Sequence, residues 1–190
     1  MSFGVDIFWL PLGARGGWLR YGGNVYEAVA ALLARRQRLD IYHSVLEVHA
    51  LEGRFVIEMG PAIDDDWARR GVVAAGPVGF AWAAALRILR YEVRCWPEGI
   101  TAYEYAVESP LRLSNDASMA TRILELARQV PTPVWGRDEL DAGEMWTCNS
   151  LTSWLLGRTN LCASIRPPLG GRAPGWDAGL KVARRGPDLL

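Results

Sequence analysis

The strongest structural signal in the chain lies at residues 41–61, IYHSVLEVHALEGRFVIEMGP. Two runs rich in β-branched and aromatic residues flank a short segment that contains Gly53, a pattern typical of a β-hairpin. His43 stands near the start of the first run, and His49, the other histidine of the chain, follows its end. The pairing of the two strands therefore determines what faces His43.

Two registers of this hairpin compete. If residues whose numbers sum to 101 face each other, Glu47 lies opposite Arg54 and His43 lies opposite Glu58. This register forms an opposite-charge pair and gathers apolar side chains on the other face of the hairpin. A sum of 105 gives a tight turn at residues 52–53 but sets Glu47 against Glu58, and like charges directly across are unfavourable. We predict the first register.

The predicted register sets the carboxylate of Glu58 beside the imidazole of His43. A carboxylate in that position fixes the tautomer of an imidazole and raises its basicity, as in many catalytic sites. The same two side chains also occur in proteins as a weak, exposed ion pair without any function. Both interpretations of His43 stay open from the hairpin alone.

Composition limits the class of protein. The chain has 190 residues, of which 50% are hydrophobic, with 21 basic and 21 acidic side chains. This length fits one domain around one core, and we predict a single domain over residues 1–190. Balanced charge excludes the basic surface of a typical nucleic-acid-binding protein and a polybasic membrane anchor. The nine tryptophans are expected mainly to brace the core.

Three cysteines, Cys95, Cys148 and Cys162, do not suggest a disulfide framework. The N-terminal stretch MSFGVDIFWLPLG lacks the basic leader of a signal peptide. The longest uncharged apolar run, residues 71–86, is shorter than the ~20 residues that a membrane span needs. We therefore expect a cytoplasmic protein with reduced thiols and no transmembrane segment.

The order of strand and helix signals predicts an α+β fold, with a mostly antiparallel sheet packed with a few helices. Strands are predicted at residues 5–10 and 88–96, and helices at residues 115–129 and 148–158. Residues 165–190 are rich in glycine, proline and arginine, and we expect them to form an irregular tail that wraps the surface.

The sequence GEMWTCNSLTSWLLGR places a cysteine at a predicted helix start. Thr147 is a plausible N-cap, which makes Cys148 the first helical residue. The positive end of the helix dipole favours the nucleophilic thiolate form of a cysteine at that position. Cysteine is also a good small core residue, and that structural role is the alternative. Cys95 and Cys162 lack such a setting and are interpreted as structural.

Together these stretches resemble the circularly permuted papain-like superfamily, in the NlpC-type branch with lecithin:retinol acyltransferase-like and PPPDE-like relatives. YHSVLEV and GRFVIEMGP resemble the first hairpin of that superfamily, and TCNSLTSWL resembles its Asn-Cys-x-His-Phe helix start. The order, histidine before cysteine, is that of the permuted members. Thr147 stands where the family has asparagine, and Ser150 and Leu151 replace its His-Phe pair.

The resemblance implies a cysteine hydrolase or acyltransferase that needs no cofactor and acts on a peptide, isopeptide or lipid-amide substrate. Cys148 would be the nucleophile, His43 the general base and Glu58 the group that orients it. Trp146 and Trp135 would wall the substrate cleft. The departures from the motif favour an alternative, a catalytically silent papain-like binding or scaffold module. A third hypothesis is a structural role in a larger complex.

No metal site is predicted. Three consecutive aspartates at residues 64–66 are acidic enough to attract a cation, but they lack the spaced partners of a metal loop and are interpreted as a solvated turn. His49 is expected to be solvated in the hairpin turn. The glycines at residues 13–17 and 22–23 form no phosphate-binding loop, because the following lysine of that motif is missing.

Overall fold

The computed structural model describes residues 3–12, 27–28, 31–32, 35–62 and 67–185, except for the side chains of residues 83 and 84. Its strands are β1 Gly4–Pro11, β2 Asp40–Ala50, β3 Gly53–Pro61, β4 Val72–Pro77, β5 Arg90–Pro97, β6 Val107–Ser114 and β7 Gly171–Arg172. Its α-helices are α1 Ala117–Ala127, α2 Cys148–Arg158 and α3 Trp176–Ala183, and three short 3-10 helices cover Ala81–Ala85, Arg87–Leu89 and Tyr103–Tyr105. The predicted α+β class with an antiparallel sheet is confirmed.

The sheet has the strand order β4-β5-β3-β2-β1-β6, and every neighbouring pair along this path is antiparallel. The short strand β7 pairs with the start of β2 in parallel. Strand β2 lies near the middle, between β1 and β3, and is therefore held along both edges. This position gives its side chains fixed directions on both faces of the sheet.

One face of the sheet carries the main hydrophobic core. In β2 the residues with even numbers point to this face and in β1 those with odd numbers, because successive side chains of a strand alternate. The core-facing residues of these two strands are buried: Val5, Ile7, Trp9, Tyr42, Ser44, Leu46 and Val48. The described α-helices cover them, and the rings of Trp9 and Trp176 lie 5.1 Å apart, which joins β1 to α3.

Helix α2 is enclosed by the rest of the protein. Every residue from Asn149 to Leu156 is buried, including three with a hydroxyl group, so polar and apolar faces alike contact protein. Helix α3 approaches it closely at Gly179, where an added Cβ would lie 2.2 Å from the backbone oxygen of Ser150. The two helices therefore pack at a distance that only glycine permits at this position.

The opposite face of the sheet is more polar than the helix-covered face. A small apolar cluster there contains Leu10, Val45 and Val56. Beside it lies a buried ionic group in which Glu92 accepts hydrogen bonds from Arg70 at 3.0 and 3.1 Å and from Arg94 at 3.2 Å. A carboxylate with 0% exposure is tolerated here because two guanidinium groups surround it.

The predicted hairpin register is wrong, and so is its rival. Strands β2 and β3 pair with a sum of 103, so Glu47 faces Val56 and His49 faces Arg54. A shift by two residues leaves every side chain on the same face, so the hydrophobic pattern that correctly predicts the faces cannot select the partners. The predicted contact between Glu47 and Arg54 forms as a diagonal pair, with 3.0 Å between Oε2 and Nη1.

The expected irregular tail at residues 165–190 is also wrong over its described part. Residues 171–172 form β7, and Trp176–Ala183 forms α3, with Trp176, Ala178 and Val182 buried. Glycine and proline residues in this segment serve the turns before the helix, where Gly175 has a φ of +85°. A composition rich in turn residues therefore conceals a short amphipathic helix that completes the core.

Among the described residues, no helix is both long enough and apolar enough to cross a membrane. The aspartates at residues 64–66 lie outside the described residues. The predicted helix at residues 148–158 is confirmed with its N-cap Thr147, and the predicted strand at residues 5–10 is confirmed within β1.

Leu155→Ala tests the enclosure of α2. Leu155 is fully buried, so truncation removes transfer energy and leaves a cavity, and we expect the free energy of unfolding to fall by about 2–5 kcal/mol. Chemical denaturation of the purified chain measures the change. Leu169→Ala is the matched control, because this side chain is 97% exposed and its truncation should change stability by less than about 0.5 kcal/mol. Similar effects of the two variants would contradict the packing of α2.

Candidate functional site

Cys148 is the first residue of α2, at a helix start that is firmly capped. The Thr147 hydroxyl oxygen accepts a hydrogen bond from the Asn149 N–H at 3.2 Å, and the Ser150 hydroxyl oxygen accepts one from the Thr147 N–H at 2.9 Å. This capping box satisfies two backbone donors that the helix itself leaves without acceptors. The backbone N–H of Cys148 has no acceptor among the described residues.

Asn149 attaches this helix start to the central strand. Its Oδ1 accepts hydrogen bonds from the Ser44 N–H and hydroxyl, both at 2.9 Å. Its Nδ2 donates to the carbonyl oxygens of Tyr42 at 3.0 Å and Pro174 at 3.1 Å. The carboxamide thus contacts the residues on either side of His43 in the sequence, and Cys148 adjoins the same part of β2.

His43 points away from that helix. The side chains of Tyr42 and Ser44 lie on the helix-covered face, so strand alternation directs His43 to the opposite face, where it pairs with Leu10 of β1 and neighbours Val45. Cys148 packs against the main core. The structure therefore brings the backbones of the two predicted catalytic residues close together and directs their side chains to different faces. Their catalytic roles stay predictions.

Glu58 does not face His43. It lies opposite Arg94 in the β3–β5 ladder, and Arg94 Nη1 donates to Glu58 Oε1 at 3.1 Å. The predicted cross-strand pairing of Glu58 with His43 is wrong, because β2 and β3 pair with a sum of 103 and not 101. A role for Glu58 in orienting His43 stays a prediction.

The two tryptophans expected to wall a cleft contribute to packing. Trp146 is buried in the main core, with 2% of its surface exposed, so a bound molecule has no access to its ring in this conformation. Trp135 is partly buried against the same core, and its backbone pairs with Pro77 and Gly79. The expectation of a cleft wall is therefore wrong for Trp146 and stays a prediction for Trp135.

A groove lies at the N-terminal end of β2, near Tyr42. Its volume is about 420 Å³. The described residues that line it are Pro11, Leu12, Glu27, Arg38, Leu39, Asp40, Ile41 and Tyr42. Tyr42 links the groove to α2, because its carbonyl accepts a hydrogen bond from Asn149, but Cys148 is not among the described residues that line the groove.

Charged side chains form a chain along this end of the sheet. Glu27 contacts Arg36 at 2.5 Å and Arg172 at 3.5 Å, and Arg172 lies 3.7 Å from Glu144. The hydrogen bond from Arg36 is the largest influence on Glu27 and holds the pKa of this carboxyl below its usual value, although burial opposes it. These ion pairs of Glu27 and Arg172 place both negative and positive charge at the rim of the groove.

Three potential metal ligands converge on the other face of the sheet. Asp6, Glu47 and His49 each offer a ligand atom, and these atoms lie within 4.8 Å of one another. No local sequence pattern indicates this cluster, because Asp6 comes from β1 and the other two residues come from β2. Only the pairing of β1 with β2, in which Asp6 faces Glu47, reveals it.

Asn149→Asp tests the attachment of α2 to β2. The added carboxylate oxygen would face the carbonyl oxygens of Tyr42 and Pro174, and both would lose the hydrogen bond from Asn149, although Pro174 would keep the one from the Thr147 hydroxyl. We expect the free energy of unfolding to fall by at least about 2 kcal/mol. Asn160→Asp is the control, because Asn160 lies exposed in a turn. Equal denaturation midpoints for the two variants would contradict the proposed attachment.

Comparison of the chain with protein-family models, with curated proteins and with solved structures found no match. The chemistry of the site is therefore inferred from its own geometry.

Proposed function

We propose that this protein is a thiol hydrolase or acyltransferase in which Cys148 attacks an amide, isopeptide or ester carbonyl. The observation that carries the proposal is the position of Cys148 at the capped first turn of a fully enclosed helix. A rigid helix start holds a nucleophile in one place. A groove lined by Tyr42, whose carbonyl binds Asn149, offers space for a substrate.

In the proposed reaction, the Cys148 thiolate forms a bond to the carbonyl carbon of the substrate. The carbonyl electron pair moves to oxygen, and the resulting oxyanion accepts a hydrogen bond from the Cys148 N–H, which has no acceptor among the described residues. Collapse of this intermediate breaks the bond from the carbonyl carbon to the leaving nitrogen or oxygen. The amine or alcohol takes up the proton that the thiol released and departs, and a thioester stays on Cys148. Water, or an acceptor nucleophile in the transferase case, then cleaves the thioester and restores the thiol.

The thiol needs a proton acceptor to become a nucleophile. The resemblance to the permuted papain-like superfamily assigns that role to His43. Its position one residue from both Tyr42 and Ser44 keeps it near the helix start along the chain, but its ring is directed to the other face. A His43 variant therefore separates a catalytic histidine from a structural one.

The second candidate is a binding or scaffold module without turnover, favoured by the opposite orientations of His43 and Cys148. An exposed aromatic pair adds support for a contact surface. Phe80 and Trp82 stack with ring centroids 5.9 Å apart and are 52% and 68% exposed, and Arg137 lies over the Phe80 ring at 4.5 Å. Large exposed aromatic groups are common at protein contact sites.

An electrophilic activity-based cysteine probe tests the hydrolase proposal. We expect labelling of the native chain at Cys148, no labelling of Cys148→Ala, and full labelling of Cys162→Ala, since Cys162 is a similarly half-buried thiol outside a helix start. Intact mass and peptide mass spectrometry locate the adduct. Labelling that Cys148→Ala retains would remove the proposal and leave the binding module.

The pH dependence of alkylation by iodoacetamide gives an independent prediction. Burial raises the pKa of Cys95 to about 11, so this thiol should stay almost unreactive in the native protein up to about pH 9 and should react after denaturation. Cys148 is half-buried at the start of α2, and we expect it to react faster than the buried Cys95 in the native protein. A shift of the Cys148 profile to higher pH in His43→Ala would identify the histidine as its proton acceptor. An unchanged profile would assign His43 a structural role.

A further inference from the structure

On the face of the sheet opposite the helices, two carboxylates face each other directly. Asp6 of β1 lies opposite Glu47 of β2, an arrangement that costs free energy unless positive charge lies nearby. Arg112 Nε donates to Asp6 Oδ1 at 2.6 Å, and Arg54 Nη1 donates to Glu47 Oε2 at 3.0 Å. Tyr103 also donates to Glu47 Oε2. One oxygen of each carboxylate is therefore hydrogen-bonded to an arginine, and the other oxygen is not.

The other oxygen of each carboxylate points to His49. Glu47 Oε1 lies 2.9 Å from His49 Nε2, and Asp6 Oδ2 lies 3.9 Å from the same nitrogen. The second distance is too long for a hydrogen bond. Among the described residues, Asp6 Oδ2 has no hydrogen-bond donor, although the Asp6 side chain is only 7% exposed. This oxygen is not a buried polar atom without a partner, so it keeps contact with solvent beside His49, where an ion has access to it.

We propose that Asp6, Glu47 and His49 bind one divalent transition-metal ion of the zinc class. Zinc takes imidazole nitrogen and carboxylate oxygen at ~2.0–2.1 Å, and tetrahedral ligands at that bond length are ~3.3 Å apart. The two distances from His49 Nε2, 2.9 and 3.9 Å, lie on either side of this value. Small rotations of the side chains are therefore sufficient to close three ligands around an ion.

The surroundings suit such a site electrostatically and sterically. The arginine and tyrosine donors to the outer oxygens orient the carboxylates, as the outer contacts of protein metal sites do. Arg54 also contacts Glu98, with 3.3 Å between Nε and Oε2, so three carboxylates face two guanidinium groups and one formal negative charge remains. His49 is 31% exposed, which leaves an approach from solvent and a position for water on the ion.

Binding replaces the contact between Glu47 and His49 with bonds to the metal. Nε2 of His49 must be unprotonated to donate its electron pair, so any proton that it carries is released to solvent when the ion binds. No electron transfer is involved. The site lies on the face opposite the helices, so it neither uses nor requires Cys148.

Titration of the full chain with CoCl₂, followed by visible absorption, tests the site. We expect one Co²⁺ per chain without a thiolate-to-metal charge-transfer band. His49→Gln and Asp6→Asn should each weaken binding at least about tenfold, since each removes a ligand. His43→Ala is the matched control, because it removes the only other histidine and should leave affinity unchanged. Cys148→Ala should also bind normally, so failure of the proposed hydrolase function would not affect this result.

A second readout guards against misfolding of the Asp6 variant, whose ion pair with Arg112 is also lost. ZnCl₂ should raise the thermal denaturation midpoint of the wild-type chain, because an ion that binds only the folded state stabilises it, and should leave that of His49→Gln unchanged. Metal-free denaturation of both proteins shows whether His49→Gln is folded. Undetectable Co²⁺ binding, undiminished binding by His49→Gln, or a thiolate band that Cys148→Ala abolishes would overturn the proposal.

Discussion

The carboxamide of Asn149 is the contact on which the helix-covered side of this protein depends. Its oxygen accepts two hydrogen bonds from Ser44, and its nitrogen donates to Tyr42 and Pro174, so one side chain joins the central strand, the start of α2 and the segment before α3. These hydrogen bonds are buried, and loss of the Asn149 carboxamide would remove partners from buried polar atoms of three segments. This geometry fixes the position of Cys148 more firmly than the hydrophobic contacts of α2 alone could.

The two faces of the sheet are stabilised by different interactions. The helix-covered face follows the alternation of apolar residues and needs only a closely packed cover. The other face buries charge, and its carboxylates are stable there because arginines from neighbouring strands lie against them, as with Glu92 between Arg70 and Arg94. Candidate chemistry is thereby divided between a thiol on one side and a cluster of oxygen and nitrogen ligands on the other.

The sequence predicts those features that depend on residues close to one another in the chain. The helix from Cys148 with its cap Thr147 follows from hydroxyl placement, and the core-facing residues of β2 follow from alternation. Strand partners did not follow, because registers that differ by two residues bury the same side chains. Contacts between residues far apart in the sequence favour the observed register. One is the ion pair of Glu58 with Arg94, and another is the hydrogen bonding of Asn149 to strand atoms 105 positions earlier.

The contacts of Asn149 affect the order in which the chain can fold during its synthesis. The carboxamide needs Pro174 as well as β2, and α3 supplies buried residues up to Ala183, so the helix-covered face stays open while a ribosome synthesises most of the chain. Strands β1 to β3 can pair early because their contacts are closer in sequence, but long-range contacts form slowly. During that interval the apolar face of the nascent sheet is exposed, and it is the surface on which chaperones would be expected to act.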